Sequence, residues 1–203
     1  MAGYDQKMKI METIFNKELI SVDLTGRYSM AKRSKEQVEM DEKKVIIKLQ
    51  SKAKESIDVL AEECGFSGPK LRRIINNLEE KGVIWGYHAV TDFSKINLRE
   101  YILLVKKTNK PLDDLANKII NRDIEHLAEK MDVIIGSSYY LHGLYDWILC
   151  FAAVDLRHAK KFDSEFLKFF KPYVQETQLM ENIFTVKRSG VENPDIEDLK
   201  DFI

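Results

Sequence analysis

The stretch S-I-D-V-L-A-E-E-C-G-F-S-G-P-K-L-R-R-I-I-N-N-L-E-E-K-G-V-I-W-G-Y, residues 56 to 87, admits few folds. Ser56 suits an N-cap, whose hydroxyl accepts a free backbone N–H. Ile57, Leu60, Ala61 and Cys64 then follow at i, i+3, i+4 and i+7, which places them on one helical stripe. Gly65 comes at once, and glycine enters the left-handed conformation at little cost, as a tight turn between two helices requires. Phe66 fits as the apolar plug of that turn. Ser67 stands at the next N-cap, with Pro69 in the first turn, where a missing N–H does no harm. Leu71, Ile74, Ile75 and Leu78 repeat the stripe, and Lys81-Gly82 predicts a glycine-terminated end. The pattern is that of a helix-turn-helix.

The stripe also fixes what the second helix shows to water. At about 100° per residue, Arg73 and Asn76 lie opposite the buried face and Arg72 and Asn77 on its flanks. Ser67, Lys70, Arg72, Arg73, Asn76 and Asn77 are therefore the candidate DNA-binding residues. Arg suits guanine edges or phosphates, Asn suits adenine edges, and Ser and Lys suit phosphates. The alternative is an ordinary amphipathic helix with a solvated basic face. Charge supports only a modest reader, since residues 41–82 hold nine basic and eight acidic side chains. Any affinity must come from local clustering and from duplication by dimerisation.

Upstream, Ser34-Lys-Glu-Gln37 fits a capping box, and Val38, Val45, Ile46 and Leu49 give a stripe to about Ser51. This predicts a first helix packed behind the other two. Residues 1–33 are an extension with a helical hint at Ile10, Ile14 and Phe15 and β-like residues from Leu19 to Thr25. Lys32, Arg33 and Lys35 form a small basic cluster, readable as a DNA-backbone arm or as a solvated linker.

Downstream, Val83 to Thr91 reads as a linking strand and residues 83–100 as strand plus hinge. Residues 101–189 follow a strand-helix-strand-strand-helix-strand rhythm. The strands are Tyr101 to Thr108, Val133 to Leu141, Trp147 to Val154 and Val174 to Lys187. The helices are Pro111 to Asn121 with a second piece from Asp123 to Met131, and a last one from an Asp155 cap to Phe170. The fold class is α+β: a winged-helix-like helix-turn-helix over 34–82, then a ferredoxin-like βαββαβ sandwich with one sheet face open for a second copy. Residues 190–203 hold five acids and one lysine. They read as a flexible acidic tail or as a short helix capped by Asn193.

The remaining chemistry is sparse. The histidines, His88, His126, His142 and His158, lie in different elements without metal spacing, and no catalytic motif, metal site or cofactor is expected. Cys64 and Cys150 read as buried thiols, consistent with the cytoplasm. No apolar run reaches the ~18 residues of a membrane span, so no membrane partner is expected.

L-A-E-x-C-G-F-S followed by R-x-I-x-N-L-E-E-K-G-V-I-W-G-Y resembles the Lrp/AsnC (feast/famine) family of transcriptional regulators, of an archaeal type with an N-terminal extension. The resemblance runs on through the βαββαβ region and omits roughly the first 37 and last 14 residues. It implies double-stranded DNA as partner, a homodimer that builds tetramers or octamers, and an amino acid or other small molecule as effector. It also implies that the linking strand pairs with its mate in the dimer. The family's G-D-x-D-Y loop aligns with Gly143-Leu144-Tyr145-Asp146-Trp147, which makes Gly143, Leu144, Tyr145 and Asp146 the effector-binding candidates. Leu144 replaces an aspartate of the pattern, and Asp146 can equally serve as a turn residue. Ile74, Asn76 and Asn77 stand where the family often has basic residues, which implies weaker phosphate anchoring and some reading of A·T pairs. Two alternatives share this plan: a tetrapyrrole-pathway decarboxylase, with Tyr87, His88, Arg99 and His142 as the residues to inspect, and an oligomeric amino-acid sensor that does not bind DNA.

Overall fold

The computed structural model describes residues 34–111 and 113–203. The readings made for residues 1–33, including Ile10, Ile14, Phe15, Lys32 and Arg33, lie outside them. The chain divides into two compact units, one ending at Tyr87 and one beginning at His88.

The first unit holds three helices: α1 (Lys35–Lys52), α2 (Ile57–Cys64) and α3 (Gly68–Glu80). The capping box at the start of α1 forms as expected. Ser34 Oγ accepts from the Gln37 N–H at 3.3 Å, and Gln37 Oε1 accepts from the Ser34 N–H at 3.1 Å. Ser56 caps α2 by accepting from the Val59 N–H at 3.3 Å. Gly65 takes the left-handed conformation at φ 66° and turns the chain into α3. Val45, Leu60, Ala61, Cys64, Leu71, Ile74, Ile75 and Leu78 form the core, with Ile46, Leu49, Ile57 and Phe66 packed at its edge. Val38 departs from the expected stripe. It is 39% exposed, on an open groove between α1 and α3. Ser67 has the extended backbone of an N-cap, yet its side chain makes no capping bond. Gly82 ends α3 at φ 66°, with its N–H on the Glu79 carbonyl and the Val83 N–H on the Leu78 carbonyl.

The expected strand from Val83 to Thr91 does not form among the described residues, because a strand needs a hydrogen-bonding neighbour and none of them pairs with this segment. Its side chains are left outside, Trp85 at 96% exposure, with the indole N–H donating to the Gly82 carbonyl at 2.7 Å.

The second unit is a βαββαβ sandwich. Its elements are β1 (Arg99–Lys107), α4 (Asp113–Ile120), α5 (Asp123–Glu129), β2 (Ile134–Tyr140), β3 (Trp147–Ala153), α6 (Leu156–Phe170) and β4 (Val174–Asn182). The antiparallel sheet runs β2-β3-β1-β4. β1 pairs with β3 from Arg99↔Ala153 to Val105↔Trp147, and on its other side with β4. Strand alternation sends Tyr101, Leu103, Val105, Trp147, Leu149 and Phe151 toward the helices. There they meet Leu115, Ile124, Ala128, Phe162, Phe166 and Phe170 in one core. Phe170, not Phe169, is the inward residue at the end of α6. The opposite face keeps Ile102, Leu104, Ile148 and Cys150 half-buried.

β4 stops five residues short of the expected Lys187. The Asn182 side chain donates to Glu100 (3.1 Å) and Thr185 (2.7 Å), and the chain leaves the sheet. A small hairpin follows, β5 (Lys187–Arg188) with β6 (Val191–Glu192), turned by left-handed Ser189 and Gly190. The last residues form a 3-10 helix, Ile196–Asp201, rather than a free tail. Its N-cap is Asp195, not the expected Asn193, which lies two residues upstream, accepting from the Asp195 N–H and donating to the Thr185 carbonyl.

Candidate nucleic-acid interface

The six candidate DNA-binding residues divide into two groups in the first unit. Ser67, Arg72, Arg73 and Asn76 are exposed on α3, on the side away from Leu71, Ile74, Ile75 and Leu78. Their side chains have no hydrogen-bond or ion-pair partner among the described residues, so their donors face water. Lys70 and Asn77 are held inside the unit. Lys70 Nζ lies 2.7 Å from Asp41 Oδ2 and 3.5 Å from the Phe66 ring centroid, with its side chain only 17% exposed. Asn77 Nδ2 donates to Glu42 Oε1 at 2.9 Å, and Lys81 reaches the same oxygen at 3.0 Å.

Asp41 and Glu42 are thus the residues that the sequence reading missed. They brace α3 against α1, and no local signal marks them, because their partners lie about 30 residues away in sequence. Lys70, with its ammonium on both a carboxylate and an aromatic face, is a fixed strut. The chemistry left for a ligand is a hydroxyl and two guanidiniums in the N-terminal half of a 13-residue helix, with an amide just past its middle. Helix N–H groups and dipole there favour an anion such as a phosphate.

The loop of effector-binding candidates sits between β2 and β3 in the second unit. Gly143 and Leu144 are exposed, Leu144 at 74%. Tyr145 donates its hydroxyl to Gln178 Oε1 at 2.6 Å. Asp146 is committed to the sheet. Its Oδ2 accepts from the Lys107 N–H at 2.9 Å, its own N–H donates to the Val105 carbonyl, and its carbonyl accepts from Leu141. The Asp146 side chain thus braces β1 and does not make the bond to the loop's own backbone that the turn reading expected.

Of the residues to inspect for the decarboxylase alternative, Arg99 and His142 of the second unit lie far apart. Tyr87 donates to Glu79 Oε1 at 2.7 Å, and desolvation with that carboxylate pushes its hydroxyl up to about 12. Arg99 pairs with Glu181 at 2.9 Å at the start of β1, whereas His142 lies in the loop beside the far end of that strand. Eight strand steps separate those ends, roughly 26 Å at ~3.3 Å per residue. Burial raises both thiols, Cys64 and Cys150, above their ordinary range, which keeps them protonated and unreactive. Among the described residues no cluster of His, Cys, Asp and Glu could hold a metal, and no helix is long and apolar enough to cross a membrane.

Residues 42–84 match a family model described as winged helix-turn-helix DNA-binding. No curated protein matches the chain. Among solved structures, the chain is similar to an AsnC family transcriptional regulator from Agrobacterium tumefaciens. That match has 18% identity and a TM-score of 0.56, over 73% of this chain and 92% of that one. It is similar to a transcriptional regulator from Neisseria meningitidis solved as an L-Met complex (19% identity, TM-score 0.58, 77% and 94% covered). A leucine response regulatory protein from Mycobacterium tuberculosis gives 14% identity and a TM-score of 0.54, over 73% and 94%. The chain has the two-domain α+β fold of these proteins.

Proposed function

We propose that this protein is a sequence-specific, DNA-binding transcriptional regulator, with α3 as the helix that enters the major groove. One observation carries the reading: four polar side chains suited to DNA stand unengaged on the outer face of the second helix of a helix-turn-helix. Arg73 and Asn76, opposite the buried stripe, read base edges, Arg for guanine and Asn for adenine. Ser67 and Arg72 bind phosphates beside the helix N-terminus. Lys70 and Asn77 act chiefly by holding α3 at its angle.

The open sheet face, with Ile102, Leu104, Ile148 and Cys150, and the unpaired segment with Trp85 are the surfaces for a second copy. A dimer presents two readers, so target sites are near-palindromic with half-sites spaced by helical turns. Such a regulator would work in the cytoplasm of a cell without a nucleus. An amino acid or similar small molecule acts as effector near Leu144 and Tyr145, with Asp146 as scaffold, by favouring one assembly over another. The L-Met complex of the Neisseria meningitidis neighbour supports an effector of that class.

The test is selection of bound fragments from random genomic DNA at two salt concentrations, with and without an amino-acid mixture. The expected result is a recurring, near-palindromic site whose preference relaxes at one position in Asn76→Ala. Retention of no fragment even at low salt overturns the reading and favours a sensor that does not bind DNA.

A further inference from the structure

A cavity of about 960 Å³ opens in the second unit at the end of the sheet where β1 begins and β4 ends, the opposite end from the Gly143–Asp146 loop. Its volume is that of a site for a small molecule. Three pieces of chain wall it: the 3-10 turn Phe93–Ile96, the strand ends, and the segment after β4 that folds back over them. The walls are braced. Arg188 donates to the Thr91 carbonyl at 2.9 Å and to Thr185 Oγ1 at 3.1 Å, and it pairs with Glu100. Lys95 reaches Asp195 at 2.7 Å, and the Phe184 and Phe202 rings lie 5.3 Å apart, tilted at 45°. A cavity tied on all sides needs little ordering when a ligand enters.

Its charge selects the ligand. Asp92, Glu100, Glu181, Glu192, Asp195 and Asp198 line it, against only Lys95, Arg99 and Arg188. Each of those cations already sits on a carboxylate of the same wall: Arg188 on Glu100, Arg99 on Glu181 and Lys95 on Asp195. The surplus is therefore acidic, and an entering anion finds no basic group that lacks a carboxylate. Asp198, on the C-terminal 3-10 helix, makes no side-chain hydrogen bond or direct ion pair among the described residues; it acts on Lys95 only through its charge, and Lys95 already sits on Asp195. Beside these carboxylates stand the two phenylalanines, Ile183 at 66% exposure and Val154 at 50%. Carboxylates next to exposed apolar and aromatic surface match one kind of molecule: a positive head on an apolar body, its charge set on carboxylate oxygens and an aromatic face.

We propose that this cavity is a binding site for a small organic amine, with its ammonium on the surplus carboxylates, Asp198 foremost, and its apolar body against Phe184 and Phe202. The site is independent of the DNA-binding reading and of the loop at residues 143–146. The experiment is a calorimetric titration of the full-length protein with 2-phenylethylamine and with 3-phenylpropionate, which has a similar body and the opposite charge. The expected result is saturable binding of the amine and none of the acid. Asp198→Asn, at an exposed position, weakens the amine about tenfold, the size of one charge-assisted hydrogen bond. Phe202→Ala weakens it as well. Binding of the acid as tight as the amine, amine binding unchanged in both variants, or no saturable binding of the amine overturns the proposal.

Discussion

The two units solve the same packing problem with different materials. The first buries aliphatic residues only, Val45, Leu60, Leu71, Ile74, Ile75 and Leu78 with Ala61 and Cys64. The second buries rings: Tyr101, Trp147, Phe151, Phe162, Phe166 and Phe170. Trp147 meets Phe166 edge-on at 5.5 Å and Phe170 at 5.9 Å, while Phe151 and Phe162 lie 4.9 Å apart. Aromatic side chains each bury far more area than an aliphatic one, so the sandwich is held by its centre. The small three-helix unit, with less core, relies more on its edges: the Ser34 and Ser56 caps, the Gly65 turn and the ties from Asp41 and Glu42 to α3. The difference teaches that the geometry of the three-helix unit depends on polar contacts at the periphery, where single substitutions change angle and stability together.

The largest effect expected is in the aromatic core. Phe166→Ala removes a fully buried ring and should cost about 3–5 kcal/mol. Denaturant unfolding followed by the fluorescence of buried Trp147 reads it. Leu71→Ala in the aliphatic core should cost about 2–5 kcal/mol, seen in the helical circular-dichroism signal. If Leu71→Ala moves the Trp147 transition as much as Phe166→Ala does, the contrast between the two cores fails. A smaller loss, about 1 kcal/mol, is expected for Ser56→Ala, which removes the cap of α2. It sharpens the comparison by testing the edge of the first unit alone.

The smallest expected effect concerns pH. Tyr87 has its hydroxyl pushed above the ordinary tyrosine range, to about 12, by desolvation and by Glu79. A raised pKa in the fold means the neutral form is favoured. Its contribution is fully present below the unfolded value and is lost as pH rises through about 12. An ultraviolet titration of tyrosinate in the wild type and in Tyr87→Phe should differ by one tyrosine titrating late. A difference appearing near the ordinary value instead would remove the Tyr87–Glu79 contact from the account.

Local chemistry made much of this legible. The four apolar residues of the α3 stripe, the Ser34 capping box, the Gly65 turn and the βαββαβ order were readable because each depends on neighbours a few residues away. The misses share a cause. Val38 has the right spacing, but no helix among the described residues covers it. Val83 to Thr91 has strand composition but no partner strand among the described residues. β4 composition continues to Lys187, yet Asn182 redirects the chain through contacts with Glu100 and Thr185. Lys70 and Asn77 look as available as Arg73 and Asn76 until Asp41 and Glu42 are placed beside them. The cavity at the sheet end was invisible for the same reason, since its walls come from three separated stretches.

The most direct test is an equilibrium titration of one selected DNA fragment with the wild type, Arg73→Ala and Lys70→Ala at fixed salt. The account predicts a loss of about 1–3 kcal/mol for Arg73→Ala, with relaxed preference at one base position. Lys70→Ala should lose less, because its ammonium is already held by Asp41 and Phe66. Equal losses, or a larger one for Lys70→Ala, would contradict the division of α3 into a reading face and a braced face.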